Sequence, residues 1–177
     1  MESRELVTLF EAAAKAAAAT VERCSRNSHA VCTAIERVTS QGDAIVLAPP
    51  AYPPADLLAQ FQKSRRVNSN PTSNDLATAN AGITEAFAAV ARTGSICVSL
   101  GAGLAGHASL LPTMHIALLP AEKIVERPRD LFRQDCLKGE GLRLDFVFIT
   151  GPSATADMGP LVRGVHGPHR LHIIILE

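Results

Sequence analysis

Residues 145–157 read DFVFITGPSATAD, and this stretch is the best indicator of the fold. Its first part, residues 145–150, has the length of a strand, contains the apolar run Phe146-Val147-Phe148-Ile149, and ends at Gly151 and Pro152. An uninterrupted apolar run is typical of a strand buried on both faces of a parallel sheet. Because open α/β sheets place ligand crevices at the carboxyl ends of their strands, we expect the segment that begins at Gly151 to border a site.

Similar apolar runs at residues 44–48, 114–119 and 171–176 predict further strands, and helical segments separate them. Further predicted features are a first helix that runs through Val21, a second helix that begins at Asn27 or Ser28, a helix opening at Pro53 or Pro54, a polar turn over residues 68–74, a strand pair turning at Thr93-Gly94, and a helix opening at Pro128. This alternation predicts an α/β fold with a mainly parallel sheet between helices. We expect one domain over residues 1–177, with the N-terminal helices (about 1–40) packed on it.

Charge and aromatic content exclude several classes of partner. The chain has 17 Lys and Arg residues against 17 Asp and Glu residues, no Trp and a single Tyr. Nucleic acids require a basic excess, and single strands also require aromatic stacking platforms, so no nucleic-acid partner is expected. The N-terminus is acidic and no stretch reaches the roughly 18 apolar residues of a membrane span, so we expect a cytoplasmic protein without a membrane span.

The cysteine and histidine spacings do not predict a metal site. The four cysteines are scattered without a C-x-x-C pair, at Cys24, Cys32, Cys97 and Cys136. Iron–sulfur and zinc sites use closely spaced pairs, so we expect no cofactor or metal in this chain and reduced cysteines in its core. His166, His169 and His172 are three residues apart, and on an extended chain that spacing alternates faces.

Candidate binding residues follow the strand predicted at residues 145–150. Gly151 permits close backbone approach, and Ser153 and Thr155 offer hydroxyl and peptide N–H groups to an anion. The alternative is that these hydroxyls cap a following helix, with Asp157 in its first turn. Both uses are compatible, because capping and anion binding employ the same N–H groups.

The second group of candidates precedes the last strand. His166 lies between glycines, Gly164 and Gly167, and has little local packing to explain it. It is therefore a candidate proton donor or hydrogen-bonding group in a cleft, with a solvent-exposed histidine as the alternative.

Two upstream segments have ordinary structural interpretations. Residues 101–106 match G-x-G-x-x-G, but only seven residues separate Gly106 from Met114, and Pro112 is among them. A dinucleotide site needs a full crossover helix there, so a flexible loop is predicted instead. His115 is predicted to be a core or layer-interface histidine.

Several motifs together resemble a known family. In chain order they are part of Ala91-Arg92-Thr93-Gly94-Ser95, Ser109-Leu110-Leu111-Pro112 with His115-Ile116-Ala117, Thr150-Gly151-Pro152-Ser153 with Ala156-Asp157, and Gly164-Val165-His166-Gly167-Pro168. The last two resemble the C-terminal signature of the LUD (lactate-utilization) domain family, and the others match the same family. The likeness runs from about Asp75 to Glu177, and it is strongest to members that lack iron–sulfur ligands.

This resemblance implies a fold related to the NagB/RpiA/CoA-transferase and formyltetrahydrofolate cyclo-ligase group. It also implies a role beside two iron–sulfur proteins in the oxidation of L-lactate to pyruvate, without established chemistry for this subunit. Arg92 and Gly159 stand where the family usually has glutamates. In related CoA-transferases a Glu in a similar setting forms the thioester, which an Arg cannot do. These departures favour binding of an anion over carboxylate catalysis.

Two functional hypotheses result. In the first, the chain is an accessory or regulatory LUD-domain subunit whose small-molecule or anion site is lined by Gly151, Ser153, Thr155, Asp157, His166 and Gly167. In the second, it is a free-standing transferase or cyclo-ligase-like enzyme acting on a phosphorylated or carboxylated metabolite. No complete catalytic constellation is visible, so catalysis by the chain stays open. A dimeric structural module with a relic pocket is a third interpretation.

Overall fold

The computed structural model describes residues 2–48, 55–100, 103–133, 145–157 and 159–177. In chain order its strands are β1 (Thr20–Cys24), β2 (Ile45–Leu47), β3 (Val67–Asn68), β4 (Ala81–Glu85), β5 (Ala88–Val90), β6 (Ser95–Ser99), β7 (Met114–Pro120), β8 (Ile124–Val125), β9 (Phe146–Ile149), β10 (Ala154–Thr155), β11 (Val162–Arg163) and β12 (Arg170–Leu176). Its α-helices are α1 (Ser3–Ala16), α2 (Ser28–Val38), α3 (Ser73–Thr78), α4 (Ala105–Leu110) and α5 (Pro128–Leu131).

A six-stranded parallel sheet, in the order β1-β12-β7-β4-β2-β3, forms the centre of the fold. β7 pairs with β12 on one side and with β4 on the other, so that Met114 lies opposite both Arg170 and Ala81. Every residue of β7 is buried, and so is every residue of β12 after Arg170. These continuous apolar runs reflect burial on both faces. The predicted α/β fold with a mainly parallel sheet between helices is confirmed.

The two faces of this sheet are covered by different elements. On one face, Phe10 and Ala14 of α1 pack into a core with Leu119 and Ile173. The other face is covered by α2, whose buried stripe is Val31, Ala34 and Ile35. The two faces of the sheet therefore pack into different hydrophobic cores.

A second, four-stranded sheet has the order β8-β5-β6-β9 and joins the α1 side of the central sheet. β5 follows β4 after two residues, and β8 follows β7 after a short turn, so two central strands continue into this sheet. The β5–β6 and β6–β9 pairs are antiparallel. The predicted strand pair turning at Thr93-Gly94 is therefore confirmed as β5 and β6.

The first helix is shorter than the sequence predicts. It ends at Ala16, and Val21 lies in β1 instead, paired in parallel with Ile173 of β12. Ala18 adopts a φ of 66°, a left-handed conformation that ends helices. Pairing along the edge of the central sheet thus overrides the helix propensity of the alanine-rich segment.

Three other local predictions differ from the structure. The predicted helix start at Pro53 or Pro54 lies outside the described residues. The residues that follow form 3₁₀ turns, at Ala55–Leu58 and Phe61–Lys63, in place of an α-helix. The polar turn predicted over 68–74 is interrupted at Ser73, where α3 begins, because Thr72 and Asp75 form a reciprocal capping box. The loop predicted over 101–106 is wrong at Ala105 and Gly106, which begin α4.

The prediction for the strand at residues 146–149 is wrong about its place in the architecture. It is not a buried parallel strand: among the described strands β9 pairs with β6 alone, antiparallel, at the edge of the second sheet, and Phe148 is 39% exposed. An edge strand with apolar side chains has the same composition as a buried one, which explains the error. No carboxyl-end crevice of the central sheet follows from this strand.

Candidate functional site

A cavity of about 410 Å³ lies between β9 and the amino ends of β7 and β12. Its volume is within the range of small-molecule sites. Its outer rim consists of half-exposed apolar side chains, namely Leu100, Leu110 and Phe148. Its inner wall consists of residues that are buried, namely Ser109, His115, Gly151, Pro168 and Leu171. The cavity is thus a mainly apolar recess that opens to solvent past apolar side chains.

The loop after β9 forms one wall because it is bonded to the segment before β12. The Ser153 N–H donates to the Pro168 carbonyl at 3.0 Å, and the Gly164 N–H donates to the Ser153 carbonyl at 2.9 Å. The His169 N–H donates in turn to the Thr113 carbonyl, at 2.9 Å, just before β7. These bonds join the two predicted motifs, at the amino end of the central sheet rather than at its carboxyl end.

Gly151 fits this wall only without a side chain. Its φ is 72°, and an added Cβ would lie 2.0 Å from the Ala17 carbonyl oxygen at the end of α1. No L side chain is accommodated at that distance. The sequence predicts that Gly151 permits a close approach to the backbone. The structure shows such an approach, but the group that comes close is the Ala17 carbonyl of the same chain.

Three of the six predicted site residues line the cavity: Gly151, Ser153 and Gly167. The other three, Thr155, Asp157 and His166, are not among its lining residues. Asp157 and His166 are solvent-exposed, and Thr155 is half-buried in β10.

The alternative in which the hydroxyls cap a helix is wrong. Residues 154–155 pair with residues 162–163 as a small antiparallel sheet, so the segment that follows Gly151 is extended where the capped helix was expected. The paired segments present Leu161, Val162 and Val165 to solvent. Asp157 therefore lies in the connection between two short strands.

Sequence reasoning missed that His115 borders the cavity. It predicted a core or layer-interface histidine, and the side chain is indeed fully buried, at the second position of β7. Its Nε2 lies 2.8 Å from the Thr84 hydroxyl on β4. Burial lowers the pKa of His115 from 6.5 to about 3, so the ring is neutral at physiological pH. The available signal was the Ser109-Leu110-Leu111-Pro112 motif beside it, since Ser109 and Leu110 also line the cavity.

The polar groups of the cavity differ in their availability. The Ser109 hydroxyl donates to the Gly106 carbonyl at 2.8 Å, and the Thr150 hydroxyl is bonded to that of Ser95 at 2.7 Å. In contrast, His115 Nδ1 is buried without a hydrogen-bond partner among the described residues. None of the described lining residues is charged. Groups in this cavity are therefore suited to hydrogen bonding rather than to ion pairing.

The two residues that replace family glutamates lie outside the cavity lining. Arg92 pairs with Glu126 at 2.8 Å, and this contact lowers the pKa of the Glu126 carboxyl. Gly159 is exposed, with open space around it. Arg92 is thus neutralised by Glu126, and neither residue supplies charge to this recess.

The described ranges contain neither a metal cluster nor a membrane helix. No group of three or more His, Cys, Asp or Glu side chains is placed to hold a metal ion there. Cys136 lies outside the described residues. No helix in the described part of the chain is both long and apolar enough to cross a membrane.

The fold and cavity define a class of α/β domain with a small-molecule recess at the amino edge of its parallel sheet. Comparison with known families identifies the class: the LUD domain model matches residues 7–176, and the chain belongs to the LUD domain family. The resemblance inferred from the motifs is confirmed.

Two of the curated relatives that the chain resembles are named Lactate utilization protein C. Lactate utilization protein C of Halalkalibacterium halodurans is 41% identical over 103 residues, which cover 56% of this chain and 45% of that protein. Lactate utilization protein C of Bacillus subtilis is 36% identical over 103 residues, covering 56% and 43%. The chain thus matches less than half the length of these relatives.

A solved structure supports the fold. A DUF162 family protein from Deinococcus radiodurans superposes with a TM-score of 0.75 over 100% of this chain and 99% of that chain, at 23% sequence identity. At this identity the likeness concerns the architecture alone.

Proposed function

We propose that this chain acts in lactate utilization, as an accessory or regulatory LUD-domain component in the oxidation of L-lactate to pyruvate. The observation that carries the proposal is the 103-residue match, at 41% identity, to a protein named Lactate utilization protein C. Membership of the LUD domain family over residues 7–176 supports it. The proposed location is the cytoplasm.

We further propose that iron–sulfur partner polypeptides carry the electrons of this oxidation. Removing two electrons from a hydroxy acid requires a redox group, and clustered cysteines usually hold one. The described cysteines do not provide such a cluster: Cys97 is buried in β6, and Cys24 and Cys32 belong to a different core. In this proposal the contribution of this chain is binding and regulation.

The ligand proposed for this component is a small organic acid at the cavity mouth. Ser153 is half-buried there, next to Gly167 and the exposed Leu110, where a carboxylate keeps part of its hydration. Deeper placement of the charge is disfavoured, since a buried carboxylate without a cation costs several kcal/mol. The apolar walls receive the remainder of the ligand.

The alternative of a free-standing transferase or cyclo-ligase-like enzyme receives less support from the cavity. Such chemistry commonly uses a carboxylate, cysteine or lysine in contact with substrate. The described lining residues include none of these.

A native pull-down tests the partner proposal. The tagged chain is purified anaerobically from its own cells grown on L-lactate, and the co-purifying polypeptides are identified and assayed for iron and labile sulfide. We expect stoichiometric iron–sulfur polypeptides together with lactate-oxidising activity. Recovery of the chain alone under these conditions would contradict the proposal.

A matched pair of hydroxyl variants tests the ligand proposal. Ser153→Ala removes a hydroxyl at the cavity, whereas Thr155→Ala removes one that is two residues away and does not line it. We expect L-lactate or pyruvate to raise the melting temperature of the wild type and of Thr155→Ala, and to do so less for Ser153→Ala. Equal responses of the two variants would refute a site at this mouth.

A further inference from the structure

Two buried histidines lie on adjacent central strands and point to opposite faces of the sheet. His115 on β7 is opposite Leu171, and the next residue of β12, His172, is opposite Ile116. Each ring has one nitrogen bonded to a threonine: His115 Nε2 to Thr84 at 2.8 Å, and His172 Nδ1 to Thr20 at 2.7 Å. In each, the other ring nitrogen is buried without a hydrogen-bond partner among the described residues.

The structure accounts for the second nitrogen of His172. Its Nε2 lies 3.9 Å from a carboxylate oxygen of Glu22, which offers electrostatic compensation. This Glu22 charge acts to raise the pKa of His172, against a larger lowering by burial. His172 does not line the cavity.

The second nitrogen of His115 has no such charged neighbour among the described residues, and the residue that carries it borders the cavity. Thr84 fixes one edge of the ring toward β4, while Leu171, on the strand at the other side of β7, lines the cavity together with His115. His115 is thus held on one side by Thr84 and borders the cavity together with Leu171, while its Nδ1 is left without a partner among the described residues. A buried polar group without a partner is costly, and native proteins rarely retain one without a use for it.

Deepening the proposed ligand site, we propose that His115 Nδ1 is the specificity-determining group at the inner wall of the cavity. It hydrogen-bonds an uncharged polar group on an otherwise apolar ligand body. The ligand class is a small, mainly apolar molecule with one hydroxyl or carbonyl group that reaches the inner wall. This inference rests on the proposal that the cavity binds a ligand, but not on the acid proposed at its mouth or on the role in lactate oxidation.

Toluene, benzyl alcohol and benzoate test it, because each is small enough for about 410 Å³. The hydroxyl of benzyl alcohol both donates and accepts, so the test does not depend on the histidine tautomer. Their dissociation constants are measured by NMR titration for the wild type, His115→Leu and His172→Leu. His172→Leu is the matched control, since it also removes a buried histidine from the central sheet.

We expect His115→Leu to reduce the preference for benzyl alcohol over toluene by about three- to tenfold, the range of one net hydrogen bond. His172→Leu leaves the preference unchanged. In wild-type protein labelled with ¹⁵N-histidine, benzyl alcohol shifts the His115 Nδ1 resonance and toluene does not. This wild-type readout applies even if a variant fails to fold.

The inference is overturned if folded His115→Leu keeps the wild-type preference for benzyl alcohol over toluene. It is also overturned if benzyl alcohol binds without shifting the His115 Nδ1 resonance. Absence of binding by all three probes to folded wild type also overturns it. Benzoate separates the two proposals. If the folded protein prefers benzyl alcohol through His115 but does not bind benzoate, the proposed acid site at the mouth is refuted and the inner-wall contact is supported. Binding of benzoate without any His115 effect supports the acid at the mouth and refutes the inner-wall contact.

Discussion

Buried His115 makes the stability of this domain depend on pH in a way that one substitution should remove. The pKa of the ring is lowered by burial from 6.5 to about 3 in the folded state. Between these two values the unfolded chain binds a proton that the folded chain does not bind. Stability is therefore complete above the unfolded pKa and falls as the pH drops through 6.5 toward the folded value.

The magnitude follows from linkage. Relative to pH 8, protonation of the unfolded state alone lowers the free energy of unfolding by about 2 kcal/mol at pH 5, and by about 5 kcal/mol at the limit near pH 3. His172 shifts in the same direction through burial, so the wild-type loss includes a second contribution. The quantity of interest is thus the difference between the wild type and His115→Leu, which no longer carries the first proton site.

Urea unfolding at pH 8 and pH 5 measures this difference. Far-UV circular dichroism is the suitable probe, because the chain has no Trp and one Tyr. We expect the variant to lose about 2 kcal/mol less than the wild type between the two pH values, whatever its absolute stability. If the two proteins lose equal amounts of unfolding free energy between pH 8 and pH 5, the lowered pKa of His115 and the burial that causes it are refuted.

Two glycine substitutions probe close backbone approaches elsewhere. Gly82→Ala should cost about 2–5 kcal/mol of unfolding free energy in urea titrations, since its Cβ would lie 1.8 Å from the Ala108 carbonyl oxygen of α4. Gly151→Ala should cost a similar amount, about 2–5 kcal/mol, and should also weaken benzyl alcohol binding, because it combines a left-handed φ with a clash against Ala17 at the cavity wall. Gly42→Ala, with no atom within 4 Å of the added methyl, should change stability by less than about 0.5 kcal/mol. A costly Gly42→Ala or a harmless Gly82→Ala would show that these contacts do not limit packing.

The central sheet was predictable because its strands are long and uninterrupted. Residues 114–119 and 171–176 are apolar throughout apart from one histidine each, and both form buried parallel strands. Residues 146–149 are also apolar throughout, yet they form a half-buried edge strand of the second sheet. The composition of a segment indicates that it is an apolar strand. Its position in the sheet order depends instead on pairing with distant residues, about fifty positions away in the case of Ile96 and Ile149.

The site was predictable only where a local backbone requirement leaves a mark. Gly151 and Ser153 belong to the turn that ends β9, and both line the cavity. His166 is distinguished by its glycine neighbours, but it faces solvent. His115 carries no such mark, because a histidine within an apolar strand is usually a core residue. Its predicted burial is correct, and the local signal for the cavity beside it is the neighbouring Ser109-Leu110-Leu111-Pro112 motif rather than the histidine itself.

The contact between Gly151 and the end of α1 brings together two segments that are far apart in the sequence. The Ala17 carbonyl packs against the loop that bounds the cavity. Ala18, with its left-handed φ, then turns the chain into β1. The first helix consequently acts as a buttress for the recess, although none of its residues lines the cavity. The position of this helix therefore limits which residue can stand at position 151, and through it the shape of one cavity wall.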